Sequence, residues 1–411
     1  MNQSDSAARP RDGSKRLRLV CFVNGIFGEG IGGGDIYFKF MAQAAIAAGY
    51  PIHFFGGHAF QRYLGKQQLP MNLTLTDDAM GNLGNVGSLG GQFRLLFDFR
   101  KRLQGTMRQL DEVKPGDIAY AMSDYWFDSV PLIKCKARAK VMYLGMIAPT
   151  FGQIVSKGRP DVTTVRLPSL YYWLSQQSSL REFRKHCPNG IVTYSHPEMR
   201  EYLLTFGFPA GNLVYVPNGS DTPTADRVPE QPKQYDVVWT GRVHPQKGVD
   251  DLVSTLVWLK QQMPDFKGLI IGKSREALEP KIRELGLSGN VTFSGLVSEE
   301  EKFRLLKCSR VFVMPSRYES WGIVVGEAIV SGVPVVGYRL GCYPPVFRDF
   351  VRYVEPFDTE AFKRAVEDEV RRQRAGQNYM AALDWKAMKQ ELSWETAQKN
   401  FLEALQLAVR K

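Results

Sequence analysis

From position 235 onward the chain alternates short apolar runs with helical stretches, and no other feature of the sequence restricts the fold as tightly. Segments 235–240, 268–272, 291–294, 311–314 and 333–338 read as buried strands, apolar on both faces and bounded by glycine or polar turns. The stretches between them, 249–263, 276–285, 298–307 and 321–331, carry helical patterning. Such alternation predicts a parallel sheet flanked by helices, an arrangement that receives ligands at the carboxyl ends of its strands. The first half repeats the scheme less regularly. An apolar run over 17–27 is followed by a glycine-dense loop at 28–34, a helix over 35–48 and a strand at 52–55, with further strands near 118–122, 141–146 and 191–195. Residues 81–91, rich in Gly and Asn, read as a mobile loop.

At roughly 100–200 residues per domain, 411 residues suit two α/β domains. Residues 217–232, rich in Pro, Asp and Thr, form the natural linker. The expected organisation is a disordered tail over 1–16, one Rossmann-like domain over 17–220 and a second over 221–383. A long amphipathic helix over 384–411 then crosses back to brace the first domain.

The charge divides unevenly between the halves. Residues 1–220 carry 25 basic and 16 acidic side chains, and residues 221–411 carry 28 and 26. Most of the net +11 therefore lies on the first half, which points to one domain meeting an acidic partner: nucleic acid, anionic lipid or a phosphorylated substrate. No stretch approaches the ~18 apolar residues of a membrane span. The polar, basic start has no apolar signal region, and five widely spaced cysteines show no metal-binding spacing, so a reducing cytoplasmic location is expected.

Two constellations carry chemistry. In 315–332, Glu319 falls in the loop after a strand and Glu327 falls in the second turn of the next helix, with Ser320, Trp321 and Gly322 between them. The amides of 321–324 open that helix and form a ready anion site, while a carboxylate one turn in suits ribose hydroxyls. The second constellation, Gly241-Arg242-Val243-His244-Pro245-Gln246-Lys247-Gly248, also joins a strand to a helix. Arg242 can fork onto a diphosphate there and Lys247 can add a point charge.

These residues resemble the donor-nucleotide domain of GT-B glycosyltransferases, specifically the retaining family 4 (glycosyl transferases group 1). The resemblance rests on Gly241-Arg242, Lys247-Gly248, Ile271-Gly272, Phe293-Ser294-Gly295 and the run from Glu319 to Glu327-Ala328. It implies that Arg242 and Lys247 hold the diphosphate of a nucleotide sugar and that Glu327 binds ribose. It further implies that Glu319, Ser320 and the amides of Trp321, Gly322 and Ile323 hold the transferred sugar, and that Leu296 and Val297 read the base. In the first half Gly32-Gly33-Gly34-Asp35 resembles the family's Gly-Gly-x-Glu turn, which assigns Gly33 and Gly34 to the donor as well. The family's active-site histidine has no counterpart at Leu144-Gly145-Met146, so no histidine is assigned to catalysis. His196, which follows a strand, is expected to be a surface or capping residue.

Two glycine patterns are decoys. Gly272-Lys273-Ser274 lacks the upstream glycine of a Walker loop, since position 267 is Lys. Gly28, Gly30 and Gly33 fit a dinucleotide fingerprint, but no acid stands ~20 residues on. No Asp-x-Asp pair occurs to anchor a metal. A basic helix over 93–110 leaves two readings open: packing on the sheet, or resting on anionic lipid through Arg94, Lys101 and Arg108.

The sequence thus reads as a metal-independent, cofactor-free retaining glycosyltransferase. Its partners would be a nucleotide-sugar donor, a saccharide or lipid-linked acceptor and an anionic membrane surface, with no nucleic acid. The rival readings are a polyanion- or nucleic-acid-binding protein on a paired Rossmann scaffold, and a phosphorylase or epimerase of the same fold.

Overall fold

The computed structural model describes residues 17–26, 32–77, 88–156 and 166–411. The tail expected over 1–16, Gly28 and Gly30, and most of the glycine-rich stretch at 81–87 lie outside the described residues.

Seven parallel strands form the first sheet: β1 (Leu19–Phe22), β2 (Ile52–Gly56), β3 (Leu73–Leu75), β4 (Ile118–Ala121), β5 (Ala139–Leu144), β6 (Ile191–Tyr194) and β7 (Leu213–Tyr215). Six more form the second: β8 (Tyr235–Thr240), β9 (Gly268–Ile271), β10 (Val291–Gly295), β11 (Ser309–Met314), β12 (Val335–Tyr338) and β13 (Val351–Val354). The central strands are wholly buried, which is why they read as unbroken apolar runs. The sequence reading misses β3, β7 and β13. All three are edge strands and partly exposed, so they carry no long apolar run.

Strand order places the crevice. The first sheet runs β3-β2-β1-β4-β5-β6-β7 and the second β10-β9-β8-β11-β12-β13. In each, the chain moves outward on one side of its first strand and then returns to the other side. The switch points fall between β1 and β4 and between β8 and β11, where a doubly wound sheet opens its binding crevice. The loops after β1, β8 and β11 are the three that the sequence singles out.

The chain passes between the domains twice, at neighbouring points. Ser220 bridges Ser393, its amide donating to the Leu392 carbonyl at 2.7 Å. The tail is not the single helix expected over 384–411. Helix Trp385–Glu391 places Met388 in the core of the second domain, and the chain then breaks at Leu392. Ser393 caps a new helix, Trp394–Arg410, by accepting from the Thr396 amide. Only this second helix crosses over. Trp394, Phe401 and Leu405 enter the core of the first domain, and Trp394 stacks on Phe40 at 4.3 Å.

Candidate active site

The segment after β11 and the segment after β8 are locked together. Lys247 Nζ donates to Glu319 Oε1 at 2.5 Å, and Ser316 Oγ donates to the same oxygen at 2.8 Å. Both ends of the ion pair are largely buried, with side-chain exposures of 16% and 7%. Gln246 reinforces the junction: its carbonyl accepts from the Arg317 amide at 2.8 Å, and its side chain donates to the Tyr318 carbonyl at 3.0 Å. Beneath them Asp251, 4% exposed, accepts from Arg317, from the Tyr338 hydroxyl and from Thr359. Sequence reasoning missed Asp251, Arg317, Ser316 and Gln246 as supports. For Gln246, Ser316 and Arg317 the signal was their position within the two motifs; Asp251 lies just past the first motif, and an acid in a first helical turn announces no partner.

Ser274 settles the Gly272-Lys273-Ser274 pattern. Its buried hydroxyl donates to the Gly241 carbonyl at 2.9 Å, which ties the strand end of β9 to the loop that carries Arg242.

Glu327 stands in the second turn of helix Ile323–Val330 and is 5% exposed. Lys302 Nζ donates to its Oε1 at 2.7 Å, while Oε2 is buried with no hydrogen-bond partner. Burial pushes this carboxyl above its usual range, against the opposing pull of Lys302. For Lys302, burial acts to lower the pKa, but Glu327 and Glu299 outweigh it and hold the ammonium raised. Lys302 was not foreseen. It lies on helix Glu299–Lys307, which begins shortly after Leu296 and Val297 and so ties the segment expected to read the base to Glu327. Leu296 is 69% exposed and Val297 half-buried.

The helix opens at Gly322, whose φ of 92° places it in the left-handed region, and a Cβ there would lie 2.8 Å from the Tyr343 ring. Trp321 is 1% exposed and packs edge-on against Phe347 at 5.1 Å, so its indole belongs to the core and only its backbone can face a ligand. Ser320 and Ile323 are half-buried.

The first domain meets this site head-on. Gly33 and Gly34 form the exposed first turn of helix Gly33–Ala47, and a Cβ at Gly33 would lie 3.5 Å from Ile323 Cδ1. The amino-termini of two helices therefore approach each other, and helix amino-termini favour negative charge. Asp35 accepts from the Gly32 amide at 2.7 Å; burial raises its carboxyl pKa, countered by that bond and by the charge of Arg242 across the gap. Tyr318 spans the domains, donating to the Ile147 carbonyl at 3.2 Å.

The segment after β5, where no histidine stands, is held by its backbone. The Met146 carbonyl accepts from Tyr172 and from Gln176, both at 2.9 Å. His196 departs from expectation. It occupies the position before helix Pro197–Thr205 but makes no capping bond, and it is 4% exposed, with burial lowering its pKa to about 4. A packed, neutral imidazole explains this better than a surface role. Cys342 donates to the Glu319 carbonyl at 3.4 Å, and burial holds its thiol well above the usual range. Among the described residues no group of His, Cys, Asp or Glu is arranged to hold a metal ion.

The support beneath the site makes a stability prediction. Asp251→Asn removes the charge that Arg317 pairs with. Breaking a fully buried pair costs roughly 3–5 kcal/mol, and the partial exposure of Arg317 reduces the expected loss to about 2 kcal/mol in urea unfolding. An unfolding midpoint equal to that of the parent chain would show that the network contributes nothing.

Two parallel-sheet, doubly wound domains that meet at the carboxyl ends of their strands define a GT-B fold. Solved structures agree. Anabaena HepE in complex with UDP and glucose aligns with a TM-score of 0.68 at 14% identity, over 95% of this chain and 100% of that one. A glycosyltransferase from Rickettsia africae aligns with a TM-score of 0.66 at 14% identity, over 97% and 100%. At such identity the likeness concerns the fold. Sequence similarity is more specific: residues 222–381 match the model for glycosyl transferases group 1. A Mycolicibacterium smegmatis relative, a GDP-mannose-dependent alpha-(1-6)-phosphatidylinositol monomannoside mannosyltransferase, is 30% identical over 199 residues, 43% of this chain. The match spans 52% of that protein, so the chain covers about half the length of the curated relatives it matches. Among the described residues no helix is long and apolar enough to cross a membrane.

Proposed function

We propose that the chain is a retaining, metal-independent glycosyltransferase of family 4 that takes a nucleotide-diphosphate sugar. The observation that carries the reading is Glu327: a buried carboxylate with one oxygen held by Lys302 and the other unpartnered, one turn inside a helix whose amino-terminus faces the crevice. A buried unpaired acceptor is costly, and a pair of ribose hydroxyls would satisfy it.

With ribose there, the diphosphate extends toward the amides of 321–324, Arg242 and Lys247, and the sugar toward Glu319 and the Gly33–Gly34 turn. The bond from the anomeric carbon to the leaving phosphate breaks as the acceptor oxygen attacks from the same face. The departing phosphate oxygen takes the acceptor's proton. Arg242, Lys247 and the helix amides stabilise the charge that develops on the diphosphate, so no protein nucleophile is needed. Lys247 and Ser316 fix Glu319 for the sugar hydroxyls.

Names of relatives point two ways on the base, GDP in the mannosyltransferase and UDP in HepE. The acceptor we infer is a saccharide or lipid-linked sugar met by the basic first domain on the cytoplasmic side. Calorimetric titration with UDP, GDP and ADP, followed by an acceptor-free hydrolysis screen of the matching sugars, tests the reading; no binding by any of the three would end it. In the same titration Glu327→Gln should weaken nucleotide binding by ~1–3 kcal/mol without altering the far-ultraviolet spectrum. An unchanged affinity would remove Glu327 from the ribose.

A further inference from the structure

Helix Leu89–Arg108, for which the sequence left two readings open, presents one packed face and one exposed face. Its inner face carries Gln92, Phe99, Arg102 and Thr106, all buried. Phe99 packs against Phe127 and Tyr171, and Arg102 donates to the carbonyls of Asn24 and Ile26 at the carboxyl end of β1. The outer face is not simply basic. At 100° per residue Leu89, Phe93 and Phe97 share an arc of roughly 140° with Arg94, Arg100, Lys101 and Arg108. All seven are exposed, and Lys101 lies over the Phe97 ring at 4.9 Å.

Exposed apolar side chains also stand on two further helices of the same domain. Phe151 and Val155 of helix Phe151–Ser156 are 53% and 59% exposed, while Leu89, Phe93 and Phe97 range from 57% to 69%. Leu174 of helix Arg166–His186 is 43% exposed, and its neighbour Trp173 packs on Phe151. Gln92 accepts from the Leu167 amide at 3.1 Å, which joins the starts of the two long helices. Arg102 binds just past the end of β1 and Tyr172 just past the end of β5, so the two long helices that carry exposed apolar residues are anchored at the carboxyl side of the first sheet.

We propose that this exposed face is a docking surface for an anionic lipid bilayer, with Leu89, Phe93, Phe97, Phe151 and Val155 entering the headgroup–acyl boundary and Arg94, Arg100, Lys101 and Arg108 meeting lipid phosphates. Aliphatic side chains distinguish the occupant. Leu89, Val155 and Leu174 offer nothing to stacked bases, whereas a bilayer accepts aliphatic and aromatic groups alike. The excess of cations on the same arc selects a negatively charged surface over an apolar protein face. A lipid-linked acceptor would then enter the crevice from this face, an extension that rests on the proposed glycosyl transfer; the docking itself does not.

Co-sedimentation of the full chain with phosphatidylcholine vesicles, with and without 30% phosphatidylglycerol, tests the proposal. Binding should rise with the anionic lipid and fall with salt. Exchanging Arg94, Arg100, Lys101 and Arg108 for Gln should lower binding about fivefold per cation at low salt. Phe93→Ser with Phe97→Ser should lower it about tenfold at every salt concentration. These side chains are exposed, so the thermal midpoints should stay at the parent value. Absence of binding at low salt, equal binding by either variant, or a preference for single-stranded nucleic acid over vesicles would overturn the proposal. So would loss of a dimer on Phe replacement with vesicle binding unchanged. No donor is present in these measurements, and Lys247→Ala should bind vesicles like the parent chain, so this outcome stays separate from that of the catalytic reading.

Discussion

Replacing Lys247 by Ala is expected to lower turnover of the matching nucleotide sugar by ~10²-fold or more, and Arg242→Ala should do the same. The two cations stand in the segment after β8, where the proposed reaction places the leaving diphosphate. Lys247 also positions its neighbour. Its ammonium holds Glu319 Oε1, so its loss leaves a buried carboxylate with Ser316 as its remaining support at that oxygen. Lys247→Arg restores charge but not the geometry of a single ammonium between a carboxylate and a phosphate, and should recover little of the rate. On the proposed mechanism these groups supply the positive charge, so turnover should survive EDTA. Retention of more than a third of the parent rate in Lys247→Ala would refute the assignment, as would loss of activity on chelation that Mg²⁺ or Mn²⁺ restores.

The largest stability effect is expected at Gly248. Its φ is 62°, and a Cβ there would lie 1.8 Å from the carbonyl oxygen of Pro315. The strained backbone costs a non-glycine residue roughly 1–2 kcal/mol. The overlap adds more, because neither loop can retreat while Gln246 binds Arg317 and Tyr318. Gly248→Ala should therefore lose about 3 kcal/mol or more in urea unfolding. Gly376 provides the control, with φ of 75° and open space around its Cβ position, so Gly376→Ala should cost only about 1 kcal/mol. Equal losses at the two positions would show that close approach of the loops is not what requires glycine at 248. Gly248→Asn relieves the backbone strain but not the overlap, and should remain nearly as destabilised as the Ala variant.

Much of the second domain was legible in the sequence because its central strands are buried on both faces. That burial forces continuous apolar runs, and strand-to-helix joints must carry the glycines and charges that bind an anion. Arg242, Lys247, Glu319 and Glu327 were visible for the same reason: they lie on two short contiguous segments whose register fixes which loop each one occupies. The first domain showed its strands but not its edges, since β3 and β7 are too short and too exposed to stand out.

Other features depended on contacts between distant residues. The sequence could place Lys247 and Glu319 on neighbouring loops but not at 2.5 Å from each other. It could not show that Lys302 leaves Glu327 one free oxygen, or that Asp251 anchors Arg317 from 66 residues away. It gave the polarity of helix Leu89–Arg108 but not its orientation: period-3.6 patterning finds the apolar arc, whereas a buried Arg102 that binds two carbonyls turned Phe93 and Phe97 to the outside. Local pattern reflects which groups a segment must hide on average. Which group actually meets which is settled when the two sheets and the crossing helix close around the crevice, and the sequence carries that information only in the packed chain.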